Sequence, residues 1–393
     1  MCLHIASITH QPLPSNDAAT VQIVHTAAAM VRAGTRLDLF LPRRPGKRQR
    51  PEDLRRAVEG HYNVECGFGL RTLPTNLRPW RRTTQAAHAA AAGAVTAFHR
   101  YDVLHTRDLP NVLLGLTAGH RVLFESYRTP GGQPAVARVL LRLAFSRPNF
   151  LGQITHSQYA REQYVSEGYP SEKLETVYNG FDPGAFDGAR SPADARRLLG
   201  LPERPTVVYA GRIAPMKRID LLLGAAARTP EIQWVFAGDA QSDEARPYRL
   251  EGTGLANVTF LGYRAGATLA PALEAGDVLV IPPSTHPLTR FRTTVLPLKV
   301  FQYLAAGRAI VAGDLPDTAE LLVDDANCVR IAPDDIGGLV AAVRGLVADP
   351  LRRERLAGAA RTLSRGLTWD ARAARILAYL RERLGTLDRQ EQR

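Results

Sequence analysis

Residues 207–217, which carry the strongest indication of the fold, read Val-Val-Tyr-Ala-Gly-Arg-Ile-Ala-Pro-Met-Lys. A β-branched and aromatic run ends at Gly211, and an apolar helical pattern begins after Lys217. The pattern is typical of a buried parallel strand with two cations, Arg212 and Lys217, at its carboxyl end. Ligands bind at that edge of an open α/β sheet, where cations beside helix amides suit a diphosphate. A tight turn with two solvated charges is the alternative.

The composition indicates an ordinary globular protein of two domains. The chain has 393 residues, of which 45% are hydrophobic and 22% charged. No apolar run is long enough to span a bilayer, and the N-terminus lacks a signal-peptide layout. Cys2, Cys66 and Cys328 are far apart and odd in number. We therefore expect a cytoplasmic protein with neither a disulfide framework nor a cysteine-based metal site.

The formal net charge of +12 comes almost entirely from arginine, since the chain has few lysines. Two basic runs lie in the N-terminal half: one spans 43–56, and the other surrounds Trp80 with Arg78, Arg81 and Arg82. Three interpretations remain open. The runs are solvated loops, or they contact an anionic membrane surface with Trp80 as an interfacial anchor. Nucleic acid is the least favoured partner, because no recognition helix or aromatic pattern accompanies the charge.

Strand and helix patterns alternate along the first half of the chain. Helices are predicted at 18–33 and 85–98, whereas the region 42–82 is interpreted as irregular. Strands are predicted at 2–8, 36–41, 102–105, 122–125, 152–155 and 175–178. Such alternation implies a parallel sheet with right-handed crossovers.

A break at 182–204, with Ser191 capping a short helix, separates this block from a second one. Strands are then predicted at 206–210, 233–237, 258–261, 277–281, 308–312 and 327–331. The fold class is therefore α/β, with two Rossmann-like domains at 1–185 and 200–366 facing across a cleft. A last helix within 367–393 is expected to cross back to the first domain.

Further features of the second half suit a nucleotide. Gly238 ends a strand, which predicts a close backbone approach, and Tyr263 or Arg264 can stack on a base. The sequence Pro297-Leu298-Lys299 opens a helix whose first amides can bind phosphate oxygens. Gln302, one turn further on, can hydrogen-bond a ribose.

The order and spacing of these motifs resemble the GT-B-fold retaining glycosyltransferases of the family called GT4. The resemblance covers nearly the whole chain and is strongest at 150–322. Its segments are Gly211-Arg212 with Lys217, Phe236-Ala-Gly238-Asp239, Val258 to Gly262, the run from Pro297 to Gly307, Val311 to Asp314, and Glu320. Each motif is weak alone, but the ordered set is specific.

The resemblance implies transfer of a sugar from a nucleotide-sugar donor with retention of anomeric configuration. In that family the cations matching Arg212 and Lys217 contact the donor diphosphate, where they stabilise charge on the leaving group. We expect no metal and no cofactor beyond the co-substrate, a UDP- or GDP-sugar. The N-terminal half is expected to hold a glycan, lipid-linked or small-molecule acceptor, and closure of the cleft to complete the site.

Some positions depart from the family pattern. Its pair of glutamates falls on Thr294 and Gln302, and Tyr127 stands where relatives carry a histidine, two residues after Glu125. His105 or Arg128 is a candidate replacement for that histidine, although a buried, satisfied His105 is equally compatible with the pattern. Asn16 and Asp17 either line the cleft or cap a helix. A degenerate protein that binds nucleotide-sugar or a partner without turnover is the alternative function.

Overall fold

The computed structural model describes residues 2–43, 50–75, 81–97, 99–188, 190–286 and 295–391. The chain divides into two compact units. The first comprises Met1–Asn179 with Trp369–Arg393, and the second comprises Gly180–Thr368.

The first unit is built on a parallel sheet of seven strands in the order β3-β2-β1-β4-β5-β6-β7. Helices cover both faces, so its central strands are continuous buried runs rather than alternating ones. The strands are β1 His4–Ile8, β2 Arg36–Pro42, β3 Gly69–Leu73, β4 Val103–Thr106, β5 Val122–Ser126, β6 Phe150–Thr155 and β7 Leu174–Thr176. The helices are α1 Ala18–Arg32, α2 Pro51–Tyr62, α3 Arg81–Ala97, α4 Leu109–Thr117, α5 Ala135–Phe145 and α6 Gln158–Ser166.

The second unit repeats this plan with a six-stranded parallel sheet in the order β10-β9-β8-β11-β12-β13. Its strands are β8 Thr206–Ala210, β9 Gln233–Ala237, β10 Val258–Phe260, β11 Val278–Ile281, β12 Ala309–Gly313 and β13 Val329–Ile331. Its helices are α7 Pro192–Leu198, α8 Ile219–Arg228, α9 Arg246–Thr253, α10 Leu269–Glu274, α11 Leu298–Ala306, α12 Ile336–Ala348 and α13 Pro350–Ser364. The Ser191 hydroxyl caps α7 by accepting the Asp194 N–H at 3.1 Å, as predicted.

The last helix, α14 (Trp369–Glu391), belongs to the first unit, where it packs along α1. His25 of α1 stacks on Trp369, with ring centroids 5.2 Å apart. Arg372 reaches the carbonyl groups of Val177 and Tyr178 at 2.8 and 2.9 Å. These contacts attach the end of the chain to the unit that also contains its beginning.

The prediction that 42–82 is irregular was wrong. This region contains α2 and the outermost strand β3, which pairs with β2 from Asp38 to Pro42. Proline and arginine concealed both elements, but Pro51 stands at the first helical turn, where its missing N–H costs nothing. A second reason is that β3 is only half buried, so it lacks the apolar run of a central strand.

The α/β class and the two parallel sheets are confirmed. Several residues of the two basic runs, Arg44, Lys47, Arg48, Arg78 and Trp80, lie outside the described residues. Within the part of the chain that the structure describes, no helix combines the length and apolar content needed to cross a bilayer.

Candidate functional site

The strand order of the second sheet reverses between β8 and β11, which lie side by side. Connections leave such a pair in opposite directions, and the crevice this opens at the carboxyl ends is where ligands bind in α/β sheets. Gly211 follows β8 directly, and α11 is the next described helix after β11. Gly211, Arg212 and the start of α11 therefore flank the reversal point of this sheet.

Two glycines allow the backbone to close around this point. Gly211 has φ of +142°, and a Cβ there would lie 2.9 Å from the Lys299 Nζ. A Cβ on Gly238, after β9, would lie 2.1 Å from the Gly211 carbonyl oxygen. A larger residue at 238 would collide with backbone, whereas a larger residue at 211 would have to adopt a φ that favours glycine and would displace the Lys299 ammonium group.

Three cations gather beside Gly211: Arg212, Lys217 and Lys299, which we call the cation cluster. The Lys299 Nζ lies 3.9 Å from the centroid of the Tyr209 ring, a cation–π distance. Burial and the neighbouring Lys217 hold the pKa of Lys299 well below its ordinary value. Burial and the charge of Arg212 lower the pKa of Lys217. The three side chains are thus close enough to repel one another.

The cluster has little compensating negative charge. Arg212 is exposed and pairs with Glu244 at 2.7 Å, a surface contact. Among the described residues, neither Lys217 nor Lys299 has a carboxylate within ion-pair distance. A group of uncompensated cations at a ligand-binding edge is an anion site by its chemistry.

Helix α11 begins at this cluster. Pro297 stands at its N-cap and has no N–H, so the expectation of free amides at 297–299 is wrong at 297. The N–H groups of Leu298 and Lys299 open the helix, while that of Val300 donates to the Pro297 carbonyl at 3.0 Å. The Gln302 side chain lies one turn further and is partly buried.

Tyr303 holds α11 against the sheet, a role that the sequence analysis missed. Its hydroxyl accepts the Ala210 N–H at 2.7 Å and lies 3.4 Å from the Val280 carbonyl, which joins the ends of β8 and β11. A tyrosine within an apolar helical run was the only available signal. This contact fixes the position of Lys299 relative to Gly211.

The residues predicted to stack on a base follow β10. Tyr263 is 46% exposed, whereas Arg264 is partly buried and its Nε has no hydrogen-bond partner among the described residues. No described contact joins either residue to the cation cluster. Thr294 and the basic stretch 287–292 lie outside the described residues.

The first unit contains a second charged group, which we call the Glu125 cluster. Glu125 ends β5 with its side chain fully buried. Its carboxylate is contacted by Gln22 Nε2 at 2.7 Å, His156 Nε2 at 2.7 Å, Arg372 Nη2 at 3.0 Å and His105 Nε2 at 3.1 Å.

The electrostatics of the Glu125 cluster are balanced. Burial raises the pKa of Glu125, but Arg372 and the hydrogen bonds from His105 and His156 outweigh it and hold this pKa well below its ordinary value. Burial lowers the pKa of His156 to about 4 despite the adjacent carboxylate. The Glu125 carboxylate therefore lies beside two guanidinium groups, with Arg372 Nη2 at 3.0 Å and Arg107 Nε at 3.9 Å, and a neutral His156 donates to it.

These contacts place the candidate residues of the first unit. His105 is buried and bound to Glu125, which is the satisfied arrangement considered as an alternative. Asn16 is exposed, and Asp17 occupies the N-cap of α1 without making a side-chain cap. The centroid of the Tyr127 ring lies 5.5 Å from the guanidinium carbon of Arg107 and 5.6 Å from that of Arg128. Tyr127 and Arg128 are the more accessible pair.

The sequence analysis missed two members of the Glu125 cluster. Gln22 lies on α1, and Arg372 lies on α14 near the other end of the chain. Neither carries a local pattern that sets it apart from a surface residue. Only the packing of α14 on α1 brings them to Glu125.

Family models match both halves of the chain. Residues 19–185 match the model described as Glycosyltransferase Family 4, and residues 204–349 match the model described as Glycosyl transferases group 1.

Individual proteins agree with these models. The phosphatidyl-myo-inositol mannosyltransferase of Mycolicibacterium smegmatis is 30% identical over 292 residues, covering 70% of each chain. Sucrose-phosphate synthase from Thermosynechococcus elongatus has a similar fold, with a TM-score of 0.76, 20% identity, and coverage of 98% of this chain and 100% of that one. Anabaena HepE in complex with UDP-glucose gives 0.72 at 18% identity, covering 96% of this chain and 99% of that one. Both structures share the GT-B fold of this chain.

Proposed function

Because the chain belongs to the group 1, family 4 glycosyltransferases, we propose that it is a retaining, metal-independent hexosyltransferase that uses a nucleoside diphosphate sugar. The observation that carries this proposal is the cation cluster, which lies at the reversal point of a parallel sheet and whose lysines have no carboxylate partner in the described parts of the chain. A diphosphate supplies the negative charge that the described residues lack.

Each cation has a role in the proposed reaction. As the glycosidic bond breaks, negative charge grows on the departing diphosphate, and Arg212, Lys217 and Lys299 stabilise it there. The N–H groups of Leu298 and Lys299 add the positive end of a helix. Fixed cations of this kind do the work that a divalent metal ion does in other transferases.

The nucleoside is assigned to the side chains around this diphosphate site. Tyr263 and Arg264 stack on the base, and Gln302 hydrogen-bonds the ribose. A UDP-sugar is the first donor to test, since the structurally similar HepE was solved with UDP-glucose. GDP-sugars are the second choice.

We assign acceptor binding to the first unit, with Tyr127 and Arg128 as its accessible residues and with Asn16 and Asp17, at the start of α1, as further candidates. The acceptor that we favour is lipid-linked. In support, the similar mycobacterial enzyme is named for a phosphatidyl-inositol substrate. A glycan or a soluble small molecule would be the acceptor if no lipid were glycosylated.

An amphipathic helix supports contact with an anionic membrane. Along α5, Val136, Val139 and Leu143 are 71, 59 and 55% exposed, and their spacing places them on one helix face. Arg142 and Arg147 beside them are also exposed. An apolar stripe flanked by arginines is the composition of a helix that lies in the headgroup region of anionic lipids.

The donor is tested with a thermal-shift panel of UDP-, GDP-, ADP- and dTDP-sugars, in which donor hydrolysis is read with and without EDTA. We expect stabilisation by one nucleotide and slow hydrolysis that survives EDTA. The NMR coupling constant of the anomeric proton in the product then shows whether the transferred sugar keeps the anomeric configuration that it had in the donor. If a nucleotide sugar binds but is neither hydrolysed nor transferred to any acceptor, the non-catalytic alternative is supported. If none of the nucleotide sugars binds, the proposed donor site is contradicted.

Membrane contact is tested by flotation with vesicles of neutral or anionic phospholipid. We expect binding only to anionic vesicles and loss of binding when Val136, Val139 and Leu143 are all replaced by serine. Leu351→Ser is the matched control, because Leu351 is 80% exposed but lies in the second unit. Equal flotation of both variants would contradict the role of α5.

A further inference from the structure

One carboxylate, that of Asp334, joins three connections at the carboxyl edge of the second sheet. Its Oδ2 accepts a hydrogen bond from the Thr285 hydroxyl at 2.6 Å and lies 3.4 Å from the Thr285 N. Its Oδ1 accepts a hydrogen bond from Arg218 Nη1 at 2.6 Å. Arg218 follows β8, Thr285 follows β11, and Asp334 itself follows β13. The carboxylate therefore links loops that leave three different strands at the edge where the cation cluster lies.

The backbone on both sides of this link has a conformation that side chains rarely adopt. Arg218 has φ of +47° and Asp334 has φ of +61°. A left-handed backbone costs free energy at a residue other than glycine, and it persists where surrounding contacts enforce it. The Asp334 N–H also donates to the Pro283 carbonyl at 2.5 Å, so backbone and side chain of one residue both hold the loop after β11. The pairing of two such residues indicates that their contact fixes both turns.

Arg218 directly follows Lys217, so its backbone sets the direction of that lysine. A single 3₁₀ turn ends at Lys217, and Arg218 then begins α8. The Arg218 side chain also contacts Asp220 at 3.0 Å, but that contact joins residues two positions apart. The contact with Asp334 joins residues 116 positions apart. Of these two acids, Asp334 is the one that connects the turn of Lys217 to other loops of the ligand edge.

We propose that Asp334 is a positioning residue for the donor diphosphate. Through Arg218 it holds the turn that carries Lys217, and through Thr285 it holds the loop after β11. It acts through Lys217 rather than by touching the ligand, because a carboxylate repels a phosphate oxygen. A cation that is already in place binds an anion more tightly than one that must first be ordered. This inference rests on the proposed function and adds a residue outside the cation cluster to the same site.

Calorimetric titration of the full-length protein measures the contribution of Asp334, with UDP or the most stabilising nucleotide of the donor panel as the ligand. Asp334→Gly removes the carboxylate and suits the left-handed backbone. The melting temperature should change little, because the Arg218 and Asp334 side chains are 31 and 33% exposed and such pairs contribute little stability. Nucleotide affinity should fall by about 3- to 30-fold. Unchanged affinity would overturn the proposal, and so would tighter binding, which would mean that the carboxylate opposes the diphosphate.

Asp334→Asn tests the same link more conservatively. Asparagine tolerates a left-handed backbone, and its side-chain oxygen can still accept a hydrogen bond from Thr285 or Arg218. It should therefore lose less nucleotide affinity than Asp334→Gly. A larger loss in Asp334→Asn than in Asp334→Gly would contradict a role based on these hydrogen bonds.

Two further variants separate this link from a general effect. Asp220→Asn is the matched control, since it removes the other acid on Arg218 and leaves the contacts of Asp334 in place. It should change nucleotide affinity by no more than about twofold. If Asp334 acts through Lys217, Asp334→Gly should weaken binding much less in a Lys217→Ala protein than in the parent. Equal losses in Asp220→Asn and Asp334→Gly, or full additivity with Lys217→Ala, would overturn the proposal.

NMR signals of the lysines test the positioning without any ligand. The chain contains four lysines, so lysine-selective ¹³C labelling gives few side-chain signals, and Lys217→Ala identifies that of Lys217. We expect Asp334→Gly to shift or broaden the Lys217 signal and to leave that of Lys173, which lies in the first unit, unchanged. An unchanged Lys217 signal would contradict the proposal.

The outcomes separate this inference from the proposed function. If Lys217→Ala lost nucleotide affinity and Asp334→Gly did not, the inference would fail and the donor site would stand. If the parent protein bound no nucleotide of the donor panel, the donor site and the inference would both be contradicted, by a readout that precedes the variants.

Discussion

In the first unit, the guanidinium of Arg372 meets the carboxylate of Glu125 at 3.0 Å, and both side chains are fully buried. In the second unit, Lys217 and Lys299 lie at the equivalent carboxyl edge of a parallel sheet, and neither has a carboxylate partner among the described residues. Both groups desolvate charge at the edge where α/β proteins bind ligands. In the first unit, the charges of Arg372 and Glu125 neutralise each other. In the second unit, the positive charges of Lys217 and Lys299 have no such partner among the described residues and are free to bind an anionic ligand.

The difference distinguishes a structural group from a binding group. A buried ion pair fixes packing, since removing either partner leaves an uncompensated charge. Uncompensated cations destabilise the free protein and become favourable only when an anion arrives, which is how binding energy is directed to a ligand. Substitutions should therefore affect stability in the first unit and turnover in the second.

The largest effect is expected on turnover in the cation cluster. Lys217→Ala or Arg212→Ala should lower kcat/KM by at least about 10²- to 10³-fold, because each removes charge that stabilises the departing diphosphate. The melting temperature should hardly change, as neither side chain has a buried ion pair. Steady-state kinetics and a thermal melt check both.

Arg228→Ala is the matched control for those two variants, since Arg228 is an exposed arginine of the same unit at the end of α8. It should keep full activity. Unchanged turnover in Lys217→Ala and Arg212→Ala would sink the assignment of the cation cluster.

The next largest effect is expected on stability in the Glu125 cluster. Glu125→Gln keeps the shape but leaves Arg372 buried and unpaired, which should lower the free energy of unfolding by about 3–5 kcal/mol. The double variant with Arg372→Met should recover part of this loss, because the two residues are coupled. Urea unfolding measures both.

Asp370→Asn is the control, since Asp370 lies on α14, the helix that also carries Arg372. Asp370 pairs with Arg32 at 2.6 Å, but the two side chains are 62 and 54% exposed. A surface pair of this kind contributes about 0–1 kcal/mol. If the two variants Glu125→Gln and Asp370→Asn lost the same free energy of unfolding, burial would not be what makes the Glu125 pair more important than the Asp370 pair.

A smaller effect is expected from acidification of the first unit. Burial lowers the pKa values of His25 and His156 to about 4, below the ordinary 6.5. The unfolded chain therefore binds protons that the folded chain does not. Stability present above pH 6.5 should be lost as the pH falls towards 4.

His25→Phe isolates one of these protons, because phenylalanine keeps a ring on Trp369 and cannot titrate. Between about pH 6.5 and 4, unfolding of the variant should take up about one proton fewer than unfolding of the parent. Urea unfolding across this range supplies the slopes. Identical slopes would mean that His25 is not kept neutral by the fold.

The smallest effect is expected at Gln302. Gln302→Glu keeps an acceptor for the ribose and should be tolerated or improve donor affinity, with a change of no more than about tenfold. Donor titration by calorimetry measures it. A severe loss would indicate another role for Gln302, such as contact with the diphosphate, where a second negative charge would be repelled.

Much of the second unit was predictable because its signals are local. The strand pattern before Gly211, the cations at 212 and 217 and the helix after Pro297 each occupy a few consecutive residues. Parallel topology then places strand ends at one edge, so nearby motifs converge without further information. Tyr303 was missed because its hydrogen bond to the Ala210 N–H depends on how α11 packs on β8.

The first unit was less predictable because its important signals are not local in the sequence. Prolines and arginines concealed α2 and β3, since the outer strand is only half buried and lacks an apolar run. Glu125 stood out in the sequence only as the end of a strand. Its partners Gln22 and Arg372 come from helices near opposite ends of the chain, and no spacing rule links them.

The α/β class, the alternation of strands and helices and the family resemblance follow from the amino-acid sequence, because they rest on periodicity and on motifs of a few adjacent residues. Which charges are compensated depends on tertiary packing. Compensation depends on distances of a few ångströms between side chains far apart in the chain, as between Arg372 and Glu125. The same arrangement left Lys217 and Lys299 without a described carboxylate beside them, and that makes an anion their natural partner.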